Sequence, residues 1–404
     1  MFLRTFLADG APAVLSSPEP NPQLWNWDSK IIPEPIRGSL GASMLGPQNV
    51  PVELENADLL APPTTDSGDL PNMKWAFALS HNRLLNGGWA RQQNVQSMPV
   101  ATGLAGVNMR LNPGAVRELH WHNTAEWAYV LKGDVRISTV TPDGEVYIGD
   151  VTEGDIWYFP AGNPHSIQAK NTSEFGAEFL LVFDSGSFSE DDTFLLTDWL
   201  AHVPKSVLAQ NFGESLHAFD HIPEKQLYIF PSSPPPVDVE ADMVVPNNTP
   251  HPYTFALSKV TGATKPGGSI KVVDSRTFQV AQAISAVEVT VEVGGMRSWH
   301  PTEPEWSFFI SGQGRVTVFA GASMAATYDF AAGDVGYIPP SFGHHVVNTG
   351  NTTLKFLEIF KSNLFQDISL TQWLALTPHE LVQAHLGFSD ETIAGLSRVK
   401  HEVV

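Results

Sequence analysis

Four side chains are spaced for metal chemistry. His120 and His122 stand one residue apart in "RELHWH", Glu126 follows four residues later, and His165 lies in a second short segment, "GDIWYFPAGNPHSI". On an extended strand alternate side chains share a face, so the two imidazoles point the same way at about 7 Å spacing, which is chelating geometry. A turn at Asn123 and Thr124 lets Glu126 return on the neighbouring strand, and His165 follows a Gly- and Pro-punctuated stretch at the start of another strand. Taken singly, each histidine reads as an ordinary core or surface residue. The alternating pair, the nearby carboxylate and the distant third imidazole together read as a metal site. Imidazole suits several first-row metals, and the carboxylate tilts the choice toward manganese or iron. Four protein ligands on an octahedral ion leave two positions open for chemistry.

The pattern recurs in the second half of the chain, where "GDVGYIPPSFGHHV" matches "GDIWYFPAGNPHSI"; His165 and His344 are separated by 179 residues, as are Glu126 and Glu305. The second copy is altered. In "RSWHPTEPEW", counted back from Glu305, His300 takes the place of the second histidine of the pair and Ser298 falls where the first belongs. The segment is two residues shorter, which preserves strand parity and therefore facing. His300, Glu305 and His344 remain as a candidate second metal set of two histidines and one carboxylate, with Glu303 as a substitute ligand. Glu358 in "FLEIF" corresponds to Leu181 in "FLLVF", so the second pocket carries an acid that the first lacks. The second domain is expected to be mainly structural, with a weakened or empty site.

Positioning such a set requires a rigid scaffold, and short β-branched and aromatic runs split by Gly and Pro indicate an all-β sandwich or barrel, here duplicated. Each half closes with a helical tail, "TDWLAHVPKSVLAQNFG" and "TQWLALTPHELVQAHLG", in which Thr is expected as N-cap and Gly as stop. The 404 residues divide into an N-terminal arm (1–75) expected to wrap the first core, a first β-domain (76–231), a Pro-rich linker (232–250) and a second β-domain (251–404). A net charge of −20 argues against nucleic acid and anionic membranes as partners. With no cysteine, disulfides, thiolate ligands and a thiol nucleophile are excluded. No signal peptide or membrane anchor is read in the chain, so the cytoplasm is favoured, or secretion if the chain is a processed form. The sequons at Asn171, Asn247 and Asn351 are attributed to chance.

The first-half pattern, Gly114-x5-His120-x-His122-x3-Glu126-x6-Gly133 followed by Gly154-x5-Pro160-x-Gly162-x2-His165, resembles the paired motifs of the cupin superfamily; Ala169 departs from them, where many cupins place Asn. The longer phrases "RELHWH", "GDIWYFP", "PHSIQA", "EFLLVFD" and "TDWLAH", with a duplicated second half, resemble the bicupin oxalate decarboxylases. That resemblance runs from about Pro35 to the C-terminus. It implies duplicated jelly-roll barrels, a homo-oligomer, and manganese acting with dioxygen to convert oxalate into formate and CO2. It implies that Arg117 steadies the substrate carboxylate, that Glu190 on a lid supplies the proton, and that Ser189 orients Glu190. Strict alternation puts Arg117 on the face opposite His120 and His122, so this role requires a bulge or a strand that starts after it. Asp191 and Asp192 stand where the family's lid carries neutral residues, and added negative charge there is expected to weaken substrate binding or raise the pKa of Glu190. The alternatives are an oxalate oxidase giving peroxide, a related metalloenzyme acting on another small carboxylate, and a non-catalytic storage or binding bicupin, which the intact first histidine set opposes.

Overall fold

The computed structural model describes residues 21–297 and 303–404. Each half is a barrel of two antiparallel sheets. In the first, the strands Gly88–Gln93, Ala105–Leu111, Ala177–Phe183, Glu126–Lys132 and Ile156–Phe159 lie side by side in that order. The facing sheet runs Val146–Thr152, Asp134–Val140, His165–Ala169 and Val116–Trp121. The second half repeats this with Gly268–Val273, Ser285–Val291, Leu354–Phe360, Glu305–Ser311 and Asp334–Ile338 facing Met296–Arg297, Gly343–Asn348, Gln313–Phe319 and Ala325–Ala331.

Burial follows position in the sheet. Val146–Thr152 and Gln313–Phe319 alternate buried with part-exposed residues, as strands with one wet face should. Glu126–Lys132 and Ala177–Phe183 are almost continuously buried because one face fills the barrel and the other packs on the partner barrel. Val107, Met109, Trp157 and Phe179 fill the first barrel, and Val287, Phe309 and Phe356 the second. Trp127, Tyr158, Trp306 and Leu357 form the layer between them.

The halves exchange strands. Lys74–Ala76, which precedes the first barrel, pairs with Asp334–Ile338 of the second. Thr254–Phe255, which precedes the second barrel, pairs with Ile156–Phe159 of the first. The arm follows the same rule, which corrects the expectation that it wraps the first core. Its Arg37 binds Asp58 at 2.8 Å, Asp58 binds Arg315 at 2.7 Å, and Asp66 accepts from the backbone N–H of Thr327 at 2.8 Å. The arm therefore lies on the second barrel. The physical reason is the strand Ala325–Ala331, which ends its sheet and would otherwise present unpaired backbone to water. In the first barrel the matching edge, Val146–Thr152, is covered by the linker: Asn247 and Asn248 accept from the N–H groups of Ile148 and Val146 at 2.8 and 2.7 Å.

The tails also differ from expectation at their starts. The helix Leu196–Ala201 has Leu195 as its N-cap, and Thr197 lies inside it, its hydroxyl donating to Glu118 instead; in the second tail Ser369 caps Leu370–Ala375. The glycine stops are present: Gly213 and Gly387 end Lys205–Phe212 and His379–Leu386 with φ of 69° and 65°, a conformation that costs a residue without Cβ little. Among the described residues no helix is long and apolar enough to cross a membrane.

Candidate metal and carboxylate site

The site begins with a bulge. His165 pairs with His120 and Ile167 pairs with Arg117, so three steps along Val116–Trp121 oppose two along His165–Ala169. The extra residue reverses the facing of everything before it. Arg117, His120 and His122 are consequently all buried, while Leu119 is exposed. The bulge resolves the parity conflict posed by strict alternation. Glu126 opens Glu126–Lys132 in the opposite sheet, not on a neighbouring strand of the same one, so the ligand set bridges the two sheets.

Donor atoms of His120, His122, Glu126 and His165 all lie within 4.8 Å of one another, and all four residues are buried. Each histidine is oriented through its other nitrogen. Nδ1 of His120 donates to the carbonyl of Glu118 at 2.7 Å, that of His122 to Thr124 at 2.8 Å and that of His165 to Asn163 at 2.8 Å. A neutral ring with its proton on Nδ1 has a bare lone pair on Nε2, the form a metal takes. Glu126 Oε1 accepts from Trp157 Nε1 at 2.9 Å, leaving Oε2 beside the Nε2 atoms of His122 and His165 at 3.3 and 3.4 Å. Lone pairs facing a carboxylate oxygen at such distances repel unless a cation lies among them. These residues fit a divalent metal ion.

Electrostatics agree with that donor set. Burial first, then the charge of Arg117 and the two other imidazoles, holds His120 well below the usual histidine range, and burial also lowers His165. For Glu126, burial works toward a higher pKa, but the contacts to His122 and His165 outweigh it and hold the carboxyl below its ordinary range. Apolar rings wall the group: Phe159 stacks on His165, and Phe183 and Phe188 lie edge-on to His122.

Arg117 is 1% exposed, and its Nη2 donates to Glu190 Oε2 at 3.0 Å. Its Nε and Nη1 find no hydrogen-bond partner among the described residues. Each of the two donor edges of this guanidinium, Nε–Nη2 and Nη1–Nη2, thus keeps one buried, unsatisfied N–H for a carboxylate oxygen. Glu190 sits in the 3₁₀ turn Glu190–Asp192, buried, with Tyr228 Oη also donating to its Oε2 and with its own N–H donating to Gln92 Oε1 at 2.9 Å. Ser189 does not touch the Glu190 carboxylate; its hydroxyl accepts from the N–H of Asp191 at 3.2 Å and caps the turn. Asp191 is exposed and reaches Arg83 at 3.4 Å. Asp192 lies in the same turn with no contact to Arg117 or Glu190 that the geometry shows.

The second barrel places its cognate residues differently. Arg297 is closed off: its Nε and Nη2 donate to the two carboxylate oxygens of Glu358 at 2.9 Å each, and its Nη1 to Asp367 at 2.9 Å. Glu358 is thus a strand acid paired with a base. Glu305 accepts from Ser307 Oγ at 2.8 Å and lies 3.2 Å from His344 Nε2, and this carboxylate outweighs burial to hold His344 above the usual histidine range. The cavity beside Glu305 and Ser307 measures about 10 Å³, room for at most one water. Ser298 and His300 lie outside the described residues.

Several participants carry no local signal in the sequence. Tyr228 is fully buried with φ of 58°, uncommon for a bulky side chain, and has the guanidinium groups of Arg83 and Arg117 at 3.8 and 4.2 Å from its ring centre. Burial and the adjacent Glu190 push its hydroxyl well above the ordinary tyrosine range, so it stays a donor. Glu118, the extra residue's neighbour in the bulge, accepts from Thr197 N–H and hydroxyl and from the N–H groups of Leu227 and Tyr228. It ties the helical tail and Tyr228 to the bulged strand. Its position between Arg117 and His120 was the one available hint.

Comparison with known proteins shows the family. The cupin family model matches residues 78–217 and 258–394, one stretch in each barrel. The chain is 49% identical over 377 residues to oxalate decarboxylase OxdC of Bacillus subtilis, covering 92% of this chain and 97% of that protein. It is 40% identical over 380 residues to a probable oxalate decarboxylase of Arthroderma benhamiae, covering 92% and 93%. A solved structure of the Bacillus subtilis enzyme, from work on its Mn(II) centres, superposes with a TM-score of 0.89 at 49% identity over 93% of this chain and 99% of that one. With both barrels matched and the similarity extending over nearly the whole length of these relatives, the chain belongs to the bicupin oxalate decarboxylase family of the cupins.

Proposed function

We propose that the protein decarboxylates oxalate to formate and CO2 at the first barrel, with manganese held by His120, His122, Glu126 and His165. The observation that carries this reading is the buried guanidinium of Arg117, with Nε and Nη1 unsatisfied, beside that ligand set. A carboxylate oxygen of oxalate accepts from an unsatisfied N–H of Arg117, which fixes the substrate against a site walled by Phe159, Phe183 and Phe188. Bound there, manganese with dioxygen supplies the one-electron chemistry that weakens the C–C bond.

The rest is proton handling by the chain. When the C–C bond breaks, CO2 leaves and its former partner carbon keeps the electron pair and takes one proton, so oxalate dianion plus a proton gives formate plus CO2. In this reading Glu190 delivers that proton. It touches Arg117 on one side and lines an outer cavity of about 460 Å³ on the other, from which solvent can reprotonate it. Tyr228 keeps its own proton and holds the Glu190 carboxyl in place. Without a proton at the right moment the same carbon is oxidised to a second CO2, with dioxygen reduced to peroxide.

The second barrel has no comparable fork, because Glu358 fills it, and its role in this reading is structural. The helical tails leave Trp199, Phe212, Trp373 and Leu381 about half exposed or more, which supports a homo-oligomer built through them. Incubation of the manganese-loaded protein with oxalate tests the function: formate and CO2 in equal amounts are expected, and release of peroxide without formate would identify an oxidase instead.

A further inference from the structure

The outer cavity has its own charge arrangement. It is lined on one side by the partition that Tyr228 and Glu190 make, and on the other by Arg83, Arg91 and His81. Arg83 and Arg117 both lie over the ring of Tyr228. Two guanidinium groups so close to one ring centre fit only on opposite faces, so Arg83 stands on the cavity side and Arg117 on the metal side. Arg91 is held by two neutral oxygens, those of Asn108 Oδ1 and the Phe77 carbonyl, at 3.0 and 3.2 Å. In a chain of net charge −20 the two guanidinium groups of this lining are matched by two carboxylates, Glu190 and Asp191.

A carboxylate already rests there. Asp191 reaches Arg83 at 3.4 Å from a largely exposed position, and it is the next residue along the lid turn from Glu190. An exposed ion pair of this kind holds weakly and is easily displaced. We propose that Arg83 is an outer docking point for the carboxylate substrate, and that Asp191 occupies it until substrate arrives and displaces it. Since the two lid residues are adjacent, release of Asp191 from Arg83 frees the turn that carries Glu190, so arrival of an anion at the mouth loosens the partition in front of Arg117. Substrate then passes from one guanidinium to the other around Tyr228. The inference rests on the proposed carboxylate substrate, and it makes Asp191, at odds with its neutral counterparts in related lids, a competitor for substrate.

The test uses the full-length, metal-loaded protein and its Asp191→Asn, Arg83→Gln and doubly substituted variants, read by oxalate kinetics and by amide hydrogen exchange of residues 187–193. Asp191→Asn should lower KM for oxalate about two- to five-fold, the range of an exposed ion pair, and should speed lid exchange without oxalate. Arg83→Gln should raise KM about ten-fold, as loss of a charge-assisted contact does, with the loss falling on KM more than on kcat. In the Arg83→Gln background, Asp191→Asn should change KM less than about two-fold, because the competitor no longer has a site. Oxalate should speed lid exchange in the parent protein and not in Arg83→Gln. Asp191 is at the surface, so its variant tests the idea even if Arg83→Gln is unstable. An unaltered KM and unaltered lid exchange in Asp191→Asn, or effects that simply add in the double variant, would overturn it. Failure of the parent protein to consume oxalate would instead strike the proposed function, and the ligand-free exchange of Asp191→Asn would still report whether Asp191 latches the turn.

Discussion

Arg297 and Glu358 meet through two parallel N–H···O bonds of 2.9 Å inside the second barrel, whereas on the equivalent edge of Arg117 in the first barrel Nη2 is taken by Glu190 at 3.0 Å and Nε meets no acceptor among the described residues, Leu181 standing in the place of Glu358. Glu358 and Asp367 engage all three nitrogens of Arg297, whereas Arg117 has only Nη2 engaged, by Glu190, and keeps Nε and Nη1 for a bound carboxylate.

Leu181→Glu should bring the acid of the second barrel into the first. The new carboxylate would take the unsatisfied Nε–H of Arg117 in cis, and KM for oxalate should rise by about a hundred-fold, the scale of a desolvated charge pair. Steady-state kinetics measure this, with circular dichroism to establish that the barrel is intact. A variant that folds and keeps its KM would mean that Arg117 does not receive the substrate.

Removal of metal should be felt as instability. Without a cation, three Nε2 lone pairs and the Glu126 carboxylate face one another in a buried space. Chelation should therefore lower the melting temperature, and Glu126→Gln should both lose first-site metal by elemental analysis and abolish turnover. Glu305→Gln should keep first-site metal and turnover, with its cost confined to stability. Loss of activity in a folded, metal-loaded Glu305→Gln protein would assign chemistry to the second barrel.

Glu190→Gln keeps a polar group against Arg117 and Tyr228 but cannot deliver a proton. Formate production should fall by about a hundred-fold or more, with peroxide rising as a share of turnover. Paired assays of formate and peroxide read the partition directly; an unchanged formate yield would move the proton donor elsewhere.

The clasp between arm and second barrel should weaken as pH rises. Burial and the neighbouring charge of Asp58 push Asp329 up to about 7, and burial also raises Asp66. An acid whose folded pKa exceeds its unfolded value near 4 binds its proton more tightly when folded, so its stabilising contribution is full below about pH 4 and is lost as pH passes 7. Asp329→Asn keeps an acceptor for the Asp58 N–H and removes the titration. Between pH 4 and 7.5 the melting temperature of the parent should therefore fall relative to the variant by on the order of 5 °C; parallel curves would show that Asp329 is not ionising in that window.

The grouping of His120, His122, Glu126 and His165 was legible in the sequence because strand alternation, a nearby carboxylate and a second copy all made the same demand of them. Arg117 was not, on parity alone: its facing depends on one extra residue in a ladder, and a bulge is settled by pairing with His165–Ala169, which no local pattern encodes. Tyr228 was missed for the same kind of reason, since it reaches Glu190 through a left-handed backbone step more than thirty residues further along the chain. The arm went to the wrong barrel because its composition advertises an irregular segment but says nothing about which sheet edge is bare. The fold class, by contrast, was written in repeated short runs, and the duplication made it redundant.

Reciprocal exchange of edge segments has a consequence for how such a chain can change over time. Each half contributes a strand to the other's sheet and shields the other's border, so neither is a self-sufficient unit that could be discarded once its own chemistry lapsed. If the proposed division of labour holds, a duplicate with a dispensable cleft is retained as scaffolding for its twin, and change in its own site is tolerable while deletion of the half is not. Under the proposed function, catalysis and architecture are inherited separately in this molecule, one half carrying the first and both halves carrying the second.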